Sequence, residues 1–103
     1  MTGLGHGQVW WADLGDVRPV VVLTRRRVAP LLTRVLVAPV TTRVRDIPIE
    51  VPLGSVEGLI DGSVANLDNA QLLPVDRLLR PAGTVAPSRW DEFCAAMAAV
   101  LAC

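Results

Sequence analysis

The sequence predicts a mainly β, α+β fold, in which a small antiparallel barrel is closed by one C-terminal α-helix. Short β-branched runs follow one another from residue 8 to residue 85, separated by turns rich in Gly and Pro. After Pro87 the apolar period changes to three and four residues, which is typical of a helix. The 103 residues suit one domain spanning 1–103, with residues 1–6 expected to be flexible.

The opening strands are indicated by three runs rich in residues that favour β-structure, at residues 8–14, 18–24 and 34–40. A tight connection, residues 15–17, separates the first two runs. The second and third runs do not alternate apolar with polar residues. Both faces of these strands are therefore predicted to be covered.

The later strands are shorter. Residues 47–53 do alternate, and Pro48 and Pro52 remove N–H donors from one side only, which predicts an edge strand or a bulge. Residues 63–68 and 70–73 are two further runs, and another short strand is predicted within 79–85.

The C-terminal helix is predicted from an apolar stripe of five residues: Trp90, Phe93, Cys94, Met97 and Leu101. On this stripe Cys94 is interpreted as a small core residue. Two helix starts remain open: Pro87 suits the first turn, whereas Ser88 and Asp91 could form a capping box.

The charge distribution is segregated along the chain. The net charge is zero, but residues 17–45 carry seven arginines and no acid, and residues 46–76 carry six acids and no base. All ten basic residues are arginine, whose planar fork of donors suits phosphate, so the pattern favours a nucleic-acid or phosphate partner. The alternative is that the two segments pair with each other as neighbouring strands.

Several classes of protein are disfavoured. The chain has no apolar stretch of about 20 residues and no secretory signal at residues 1–7, so a cytoplasmic protein that spans no membrane is expected. One histidine and two cysteines, nine positions apart, provide almost no metal-ligand set, so no metal or cofactor is expected.

The tryptophans could be base-stacking platforms or core residues. Trp10 and Trp11 point to opposite faces of one strand, so at most one of them is expected at the surface. Trp90 is expected in the core because it belongs to the helical stripe.

A candidate phosphate site follows from the register of the second and third strands. If residues 26–33 join them as an antiparallel pair, Arg18 lies opposite Thr41, with Thr42 and Arg43 at the same end. Two hydroxyls beside two guanidinium groups make a plausible phosphodiester pocket. The alternative is a solvated pair at the surface.

Six segments, in order, resemble the MazF/PemK toxins of bacterial toxin-antitoxin systems, and particularly members with a short first loop. The segments are residues 7–15, 18–23, 37–42, 47–51, 62–69 and 83–87. The resemblance implies an SH3-like barrel, a homodimer, and a metal-independent, sequence-specific endoribonuclease acting on single-stranded RNA, whether mRNA, tRNA or rRNA. It also implies a cognate MazE-like antitoxin whose C-terminal tail competes for the RNA groove.

By the same resemblance, Arg18 and Thr41 match the catalytic residues. The implied RNA-binding residues are Pro19, Thr42, Arg43, Ile47, Asp68 and Asn69. The Ser-Glu-Gln motif that the family usually carries in its first loop is missing here. This absence leaves open the alternative of a non-catalytic, CcdB-like toxin that inhibits a protein target such as DNA gyrase.

The mechanism implied for such a nuclease is attack by the ribose 2′-OH, giving 2′,3′-cyclic phosphate and 5′-OH ends. Arg18 would hold the non-bridging oxygens and Thr41 would add a hydroxyl donor. Asp13 or Asp16 could accept the proton, but either residue could instead cap a turn.

Overall fold

Seven antiparallel strands and one C-terminal helix make up the protein in a computed structural model that describes residues 3–102. The elements, in chain order, are β1 (Gln8–Asp13), β2 (Val17–Val22), β3 (Arg34–Thr41), β4 (Glu50–Leu53), β5 (Ser63–Asn66), β6 (Gln71–Pro74), β7 (Leu78–Thr84) and α1 (Trp90–Val100). The predicted fold class is confirmed.

The long strand β3 organises the sheet. The strand order is β4-β5-β3-β2-β1-β7, and β6 also pairs with β3. Residues 34–37 of β3 pair with β6, whereas Val40 and Thr41 pair with β5. β3 therefore pairs with both β5 and β6. Its C-terminal end carries Thr41, a predicted catalytic residue, beside β5.

The predicted edge strand is confirmed but shorter than expected. β4 lies at the edge of the sheet and begins only at Glu50. In the irregular segment before it, Asp46 adopts a positive φ of 55°, a left-handed conformation that Asp tolerates better than most residues.

Both faces of β2 and β3 are covered, as predicted. Val21 packs with Ala38 and Phe93 in one apolar cluster. Val20 and Val22 pack with Val35 and other residues in a second cluster on the opposite face. Burial on both sides explains why these two strands show no alternation.

The helix packs along a narrower stripe than predicted. Phe93 and Ala96 are buried, and the ring of Trp90 stacks on Phe93 with centroids 4.7 Å apart. The interpretation of Cys94 as a core residue was wrong, since it is exposed, and Leu101 of the predicted stripe is exposed beyond the end of α1. At about 100° per residue, Cys94 turns away from the face that carries Phe93.

Of the two predicted helix starts, the structure shows the one in which Pro87 occupies the first turn. A 3-10 turn, Pro87–Arg89, leads into α1, and no side-chain cap forms, so the Ser88 capping box was wrong. Arg89 anchors this turn by donating to the carbonyl oxygen of Pro52 at 2.7 Å and to Glu57 at 3.4 Å. These contacts attach the helix to the edge of the sheet.

The N-terminal segment contacts the helix. The His6 ring lies 5.2 Å from the ring of Trp90, and its Nδ1 accepts a hydrogen bond from the backbone of Arg26. Flexibility of residues 1–6 stays a prediction, because contacts do not measure motion and residues 1–2 lie outside the described residues, as does Cys103. None of the helices within residues 3–102 has the length and apolar character to cross a bilayer.

Candidate active site

The register of β2 and β3 agrees with the sequence prediction. Val20 pairs with Pro39, Val21 with Ala38 and Val22 with Val37. The same register continued by two residues places Arg18, in the second position of β2, opposite Thr41, the last residue of β3. The pairing therefore brings these two residues to one end of the sheet.

Arg18 and Thr41 line two neighbouring cavities. The first, which we call the polar cavity, has a volume of about 450 Å³ and includes Asp16, Asn66, Asn69 and Gln71. The second, the tryptophan cavity, has a volume of about 340 Å³ and includes Trp11, Pro19, Thr42 and Ile60. Arg18, Val40 and Thr41 belong to both linings, so the pair lies at the boundary between the cavities.

The Arg18 guanidinium is held at one edge. Its Nε lies 3.1 Å from each carboxylate oxygen of Asp16, and the Arg18 side chain is 53% exposed. Within residues 3–102 its two terminal nitrogens make no hydrogen bond to the protein. Four N–H donors are therefore free for a ligand.

The Thr41 hydroxyl can accept one hydrogen bond and donate another at the same time. Its Oγ1 accepts a hydrogen bond from the backbone N–H of Arg43 at 3.1 Å. A hydroxyl that accepts from the backbone still has its own proton to donate. Thr41 can therefore offer that proton to a ligand oxygen beside Arg18.

The two acids considered as proton acceptors have different surroundings. Asp13 Oδ1 accepts from the backbone N–H of Gly15 at 2.9 Å, so Asp13 caps the turn between β1 and β2. Gly15 has a φ of 102°, which glycine adopts readily. Asp16 lines the polar cavity and is ion-paired with Arg18.

The other predicted site residues are distributed around the pair. Pro19 and Thr42 line the tryptophan cavity and Asn69 lines the polar cavity. Arg43 touches the site through its backbone bond to Thr41. Ile47 is half-buried in the irregular segment before β4 and lines neither cavity.

Asp68 is engaged by an arginine that sequence reasoning did not single out. Arg45 Nη2 and Nη1 donate to the two Asp68 oxygens at 2.8 and 3.0 Å. Arg45 Nε donates to Glu50 at 3.0 Å, and Nη2 also donates to Asn66 Oδ1 at 3.2 Å. We call these four residues the Arg45 cluster; one of them, Asn66, also lines the polar cavity.

Glu50 is the buried member of this cluster, with a side chain that is 2% exposed. Its Oε1 accepts from the backbone N–H groups of Arg45 and Asp46 at 2.8 and 3.0 Å. Burial alone would raise the pKa of Glu50, but the hydrogen bonds from Arg45 and Asp46 together outweigh it and lower that pKa.

The pKa values of Asp68 and Arg45 are also shifted in the directions that favour the charged forms. The hydrogen bond from Arg45 lowers the pKa of Asp68, and the hydrogen bonds to Asp68 and Glu50 raise the pKa of Arg45. All three groups are therefore charged at neutral pH.

The two charge segments do lie beside each other as strands, as the alternative supposed, because β3 pairs with β5 and β6. In the part of the chain that the structure describes, however, most of the arginines of the basic segment form no ion pair with the acidic segment. Within residues 3–102, Arg45 is the arginine of the basic segment that forms ion pairs with the acidic segment. Five others of that segment form no ion pair there, namely Arg25, Arg26, Arg27, Arg34 and Arg43. Most of the basic segment is thus available to attract an anionic partner.

Sequence reasoning missed several lining residues. Asn66 and Gln71 reach the polar cavity only because β5 and β6 both pair with β3, and no local pattern signals that pairing. Trp11 was considered a candidate stacking residue, and its place beside Pro19 and Thr42 supports that reading over the core one. Within residues 3–102 no group of three His, Cys, Asp or Glu side chains has the geometry to hold a metal ion.

Comparison with known proteins gives one family. The model of a PemK-like, MazF-like toxin of type II toxin-antitoxin systems matches residues 6–101. The endoribonuclease MazF3 of Mycobacterium tuberculosis is 47% identical over 78 residues, which is 76% of either chain.

Solved structures agree with this match. The Mycobacterium tuberculosis toxin MazF-mt6 has a TM-score of 0.87 at 41% identity, over 90% of this chain and 94% of that chain. An endoribonuclease in complex with its cognate antitoxin, from a mycobacterial species, has a TM-score of 0.86 at 27% identity, over 95% of this chain and 94% of that chain.

Proposed function

The chain belongs to the family of PemK-like, MazF-like toxins of type II toxin-antitoxin systems, and we propose that it cleaves RNA at the pair formed by Arg18 and Thr41. It is an endoribonuclease toxin that a cognate antitoxin neutralises. One observation supports the assignment of residues above all others: Arg18 and Thr41 lie at the boundary of two cavities, where a strand of RNA would pass from one to the other.

The reaction uses a nucleophile that RNA itself carries. The 2′-oxygen attacks the adjacent phosphorus and gives up its proton, a new P–O2′ bond forms, and the P–O5′ bond breaks. The leaving 5′-oxygen takes up a proton, so the products are a 2′,3′-cyclic phosphate and a 5′-OH end. The protein has to align these atoms and stabilise the additional negative charge on the phosphorane oxygens.

Arg18 and Thr41 provide that stabilisation. The free terminal nitrogens of Arg18 bind the non-bridging oxygens, and the Thr41 hydroxyl donates a further hydrogen bond. Asp16 holds the guanidinium through Nε and so directs its terminal nitrogens to the ligand. The chemistry assigned to these groups requires no metal ion or cofactor.

The nucleotides on either side of the phosphate occupy the two cavities. In the tryptophan cavity, a base would stack on the face of Trp11 opposite the Arg80 guanidinium, which lies 5.4 Å from the ring centroid, with Pro19 and Thr42 beside it. In the polar cavity, Asn69 lies on the RNA side, and Asp68 is adjacent to it. Arg43 and Ile47 extend the RNA-binding surface along the segment that follows β3.

The same surface suits the partner that regulates the toxin. We propose that the C-terminal tail of the MazE-like antitoxin, acidic with aromatic or aliphatic residues, competes with RNA for the two cavities. The free arginines of the basic segment provide charge complementarity to such a tail. We also propose that the toxin acts as a homodimer and works in the cytoplasm, where single-stranded mRNA, tRNA and rRNA are available.

Cleavage of total RNA in the presence of EDTA tests this function. Discrete fragments with 5′-OH ends that share a sequence are expected from the wild-type protein and from an Arg77→Ala control. Arg77 is an exposed arginine outside the basic segment, in the short turn between β6 and β7. A folded Arg18→Ala variant is expected to produce no cleavage.

Two results would reject the proposal. A folded Arg18→Ala protein with near wild-type cleavage would remove Arg18 from the site. Wild-type protein that leaves RNA intact but inhibits DNA gyrase would favour the CcdB-like alternative.

A further inference from the structure

One amide in the polar cavity has its orientation determined by the protein. Asn66 is the last residue of β5, and its backbone pairs with Glu50 of β4. Its side chain accepts a hydrogen bond from Arg45, and the same residue lines the polar cavity.

The contact with Arg45 decides which atom of the amide faces which way. A guanidinium group has five N–H donors and no acceptor, so the Asn66 atom 3.2 Å from Arg45 Nη2 has to be the oxygen. Arg45 is itself held by Asp68 and by the buried Glu50. The amide therefore cannot turn over without losing this hydrogen bond.

The amino group of Asn66 is consequently the part left for the cavity. Within residues 3–102 it donates no hydrogen bond to the protein, and every buried side-chain polar atom there has a partner. An unpartnered Nδ2 must then be accessible, in a cavity that also contains Arg18 and Thr41. It offers two N–H donors at a fixed position beside the proposed scissile phosphate.

We propose that Asn66 is a specificity-determining residue that donates to an acceptor atom on the base edge of a nucleotide next to the cleaved phosphate. Arg45 is then a positioning residue, because it acts by fixing the Asn66 amide. Asp68 contributes through Arg45, since both of its oxygens are occupied by that guanidinium. This inference rests on the proposed endoribonuclease function and adds the group by which one base is read.

The variant Asn66→Asp tests the proposal with little change in shape. The carboxylate keeps an oxygen for Arg45 but presents an acceptor to the cavity where the amide presented donors. Cleavage rates are measured on a set of short RNAs that carry each of the four bases at every position around the site. We expect the preference at one position to change by about ten-fold or more, the range of one base contact.

The comparison across bases separates a base contact from a phosphate contact. The added negative charge repels all RNAs and lowers every rate by the same factor. A uniform loss with unchanged relative rates would overturn the proposal, because it would assign Asn66 to the backbone. Unchanged rates would overturn it as well. They would show that Asn66 only supports Arg45, because the carboxylate of Asn66→Asp can still accept the hydrogen bond from Arg45.

A second pair of variants covers the case of an unfolded Asn66→Asp protein. Asn66→Ala has no donor and is expected to lose the same base preference. Arg45→Lys keeps the charge but not the planar fork, and is expected to relax that preference while Arg18-dependent cleavage persists. Preferences retained in both folded variants would contradict the assignment. Failure of the wild-type protein to cleave any RNA would instead contradict the proposed function, so the two failures are distinguishable.

Discussion

Both carboxylate oxygens of Asp16 lie 3.1 Å from the Nε of Arg18. Asp16 stands in the short connection between β1 and β2, two residues before the arginine that it holds. A local contact therefore orients the guanidinium, and the terminal nitrogens remain available at the junction of the two cavities.

Replacement of Asp16 separates orientation from charge. Asp16→Ala is expected to lower the cleavage rate about ten-fold or more, because a misdirected guanidinium stabilises the phosphorane less well. Asp16→Asn keeps one oxygen acceptor for Nε and is expected to recover most of this loss. Single-turnover kinetics on a short RNA measure both variants. Equal activity of Asp16→Ala and wild type would contradict the orienting role.

Replacement of Thr41 tests its hydroxyl. Thr41→Val has nearly the same shape but no donor, and is expected to lower the rate about 100-fold to 1,000-fold, the range for one donor to a developing oxyanion. Thr41→Ser retains the hydroxyl and is expected to keep most of the activity. Thermal unfolding of both variants provides the control, and a Thr41→Val enzyme as fast as Thr41→Ser would exclude a role for the hydroxyl.

Loss of the Glu50 carboxylate is expected to destabilise the fold. In Glu50→Ala two backbone N–H groups and the Arg45 guanidinium lose an acceptor at a buried position. The expected loss is about 2–4 kcal/mol in the free energy of unfolding. Urea denaturation measures it. The exposed Glu92, paired with Arg89, serves as control, and Glu92→Ala is expected to cost less than about 1 kcal/mol.

The carboxylates also predict how stability depends on pH. The hydrogen bonds from Arg45 lower the pKa of Asp68 and, against burial, that of Glu50, and Arg89 lowers the pKa of Glu92. Because these folded-state pKa values lie below the unfolded values of about 4, the unfolded chain takes up protons first as the pH falls. The stabilisation is complete at neutral pH and is lost on acidification.

Urea unfolding between pH 7 and pH 3 measures this dependence. The free energy of unfolding is expected to fall below about pH 5, with a smaller slope in Glu50→Gln, which keeps an oxygen acceptor but does not titrate. Stability that does not change across this range would contradict the prediction.

Two glycines with similar backbones allow a test of close packing. Gly58 and Gly62 have φ values of 81° and 87°, so alanine is strained at both. A Cβ on Gly58 would collide with the backbone of Ala82, whereas a Cβ on Gly62 would meet open space. Gly58→Ala is therefore expected to be less stable than Gly62→Ala by about 1–3 kcal/mol, measured by urea denaturation. Equal stabilities would show that this contact relaxes without cost.

Prediction from sequence succeeded where neighbours along the chain supply the signal. The register of β2 and β3 follows from one connection and two Val-rich runs, and the observed pairs agree with it. The helix was predicted from its apolar period, but Cys94 was placed on the wrong side, and Leu101 lies beyond the last helical residue. A periodic pattern predicts which side of a helix is apolar. How many residues on that side are buried depends on how much of the sheet the helix covers.

The Arg45 cluster was outside the reach of sequence reasoning. Arg45 is separated from Asn66 by 21 positions and from Asp68 by 23, and no spacing rule relates a loop arginine to the end of a strand. The same holds for Gln71, which joins the polar cavity because β6 pairs with β3.

The amino-acid sequence alone determined the order of the strands and helix along the chain and the register of β2 and β3, because each depends on local periodicity or on one short connection. It also carried the family resemblance. Only the tertiary structure decided which side chains complete the two cavities and which way the Asn66 amide faces. Those features depend on contacts between segments that are distant in the chain, and such contacts exist only once the sheet has folded around β3.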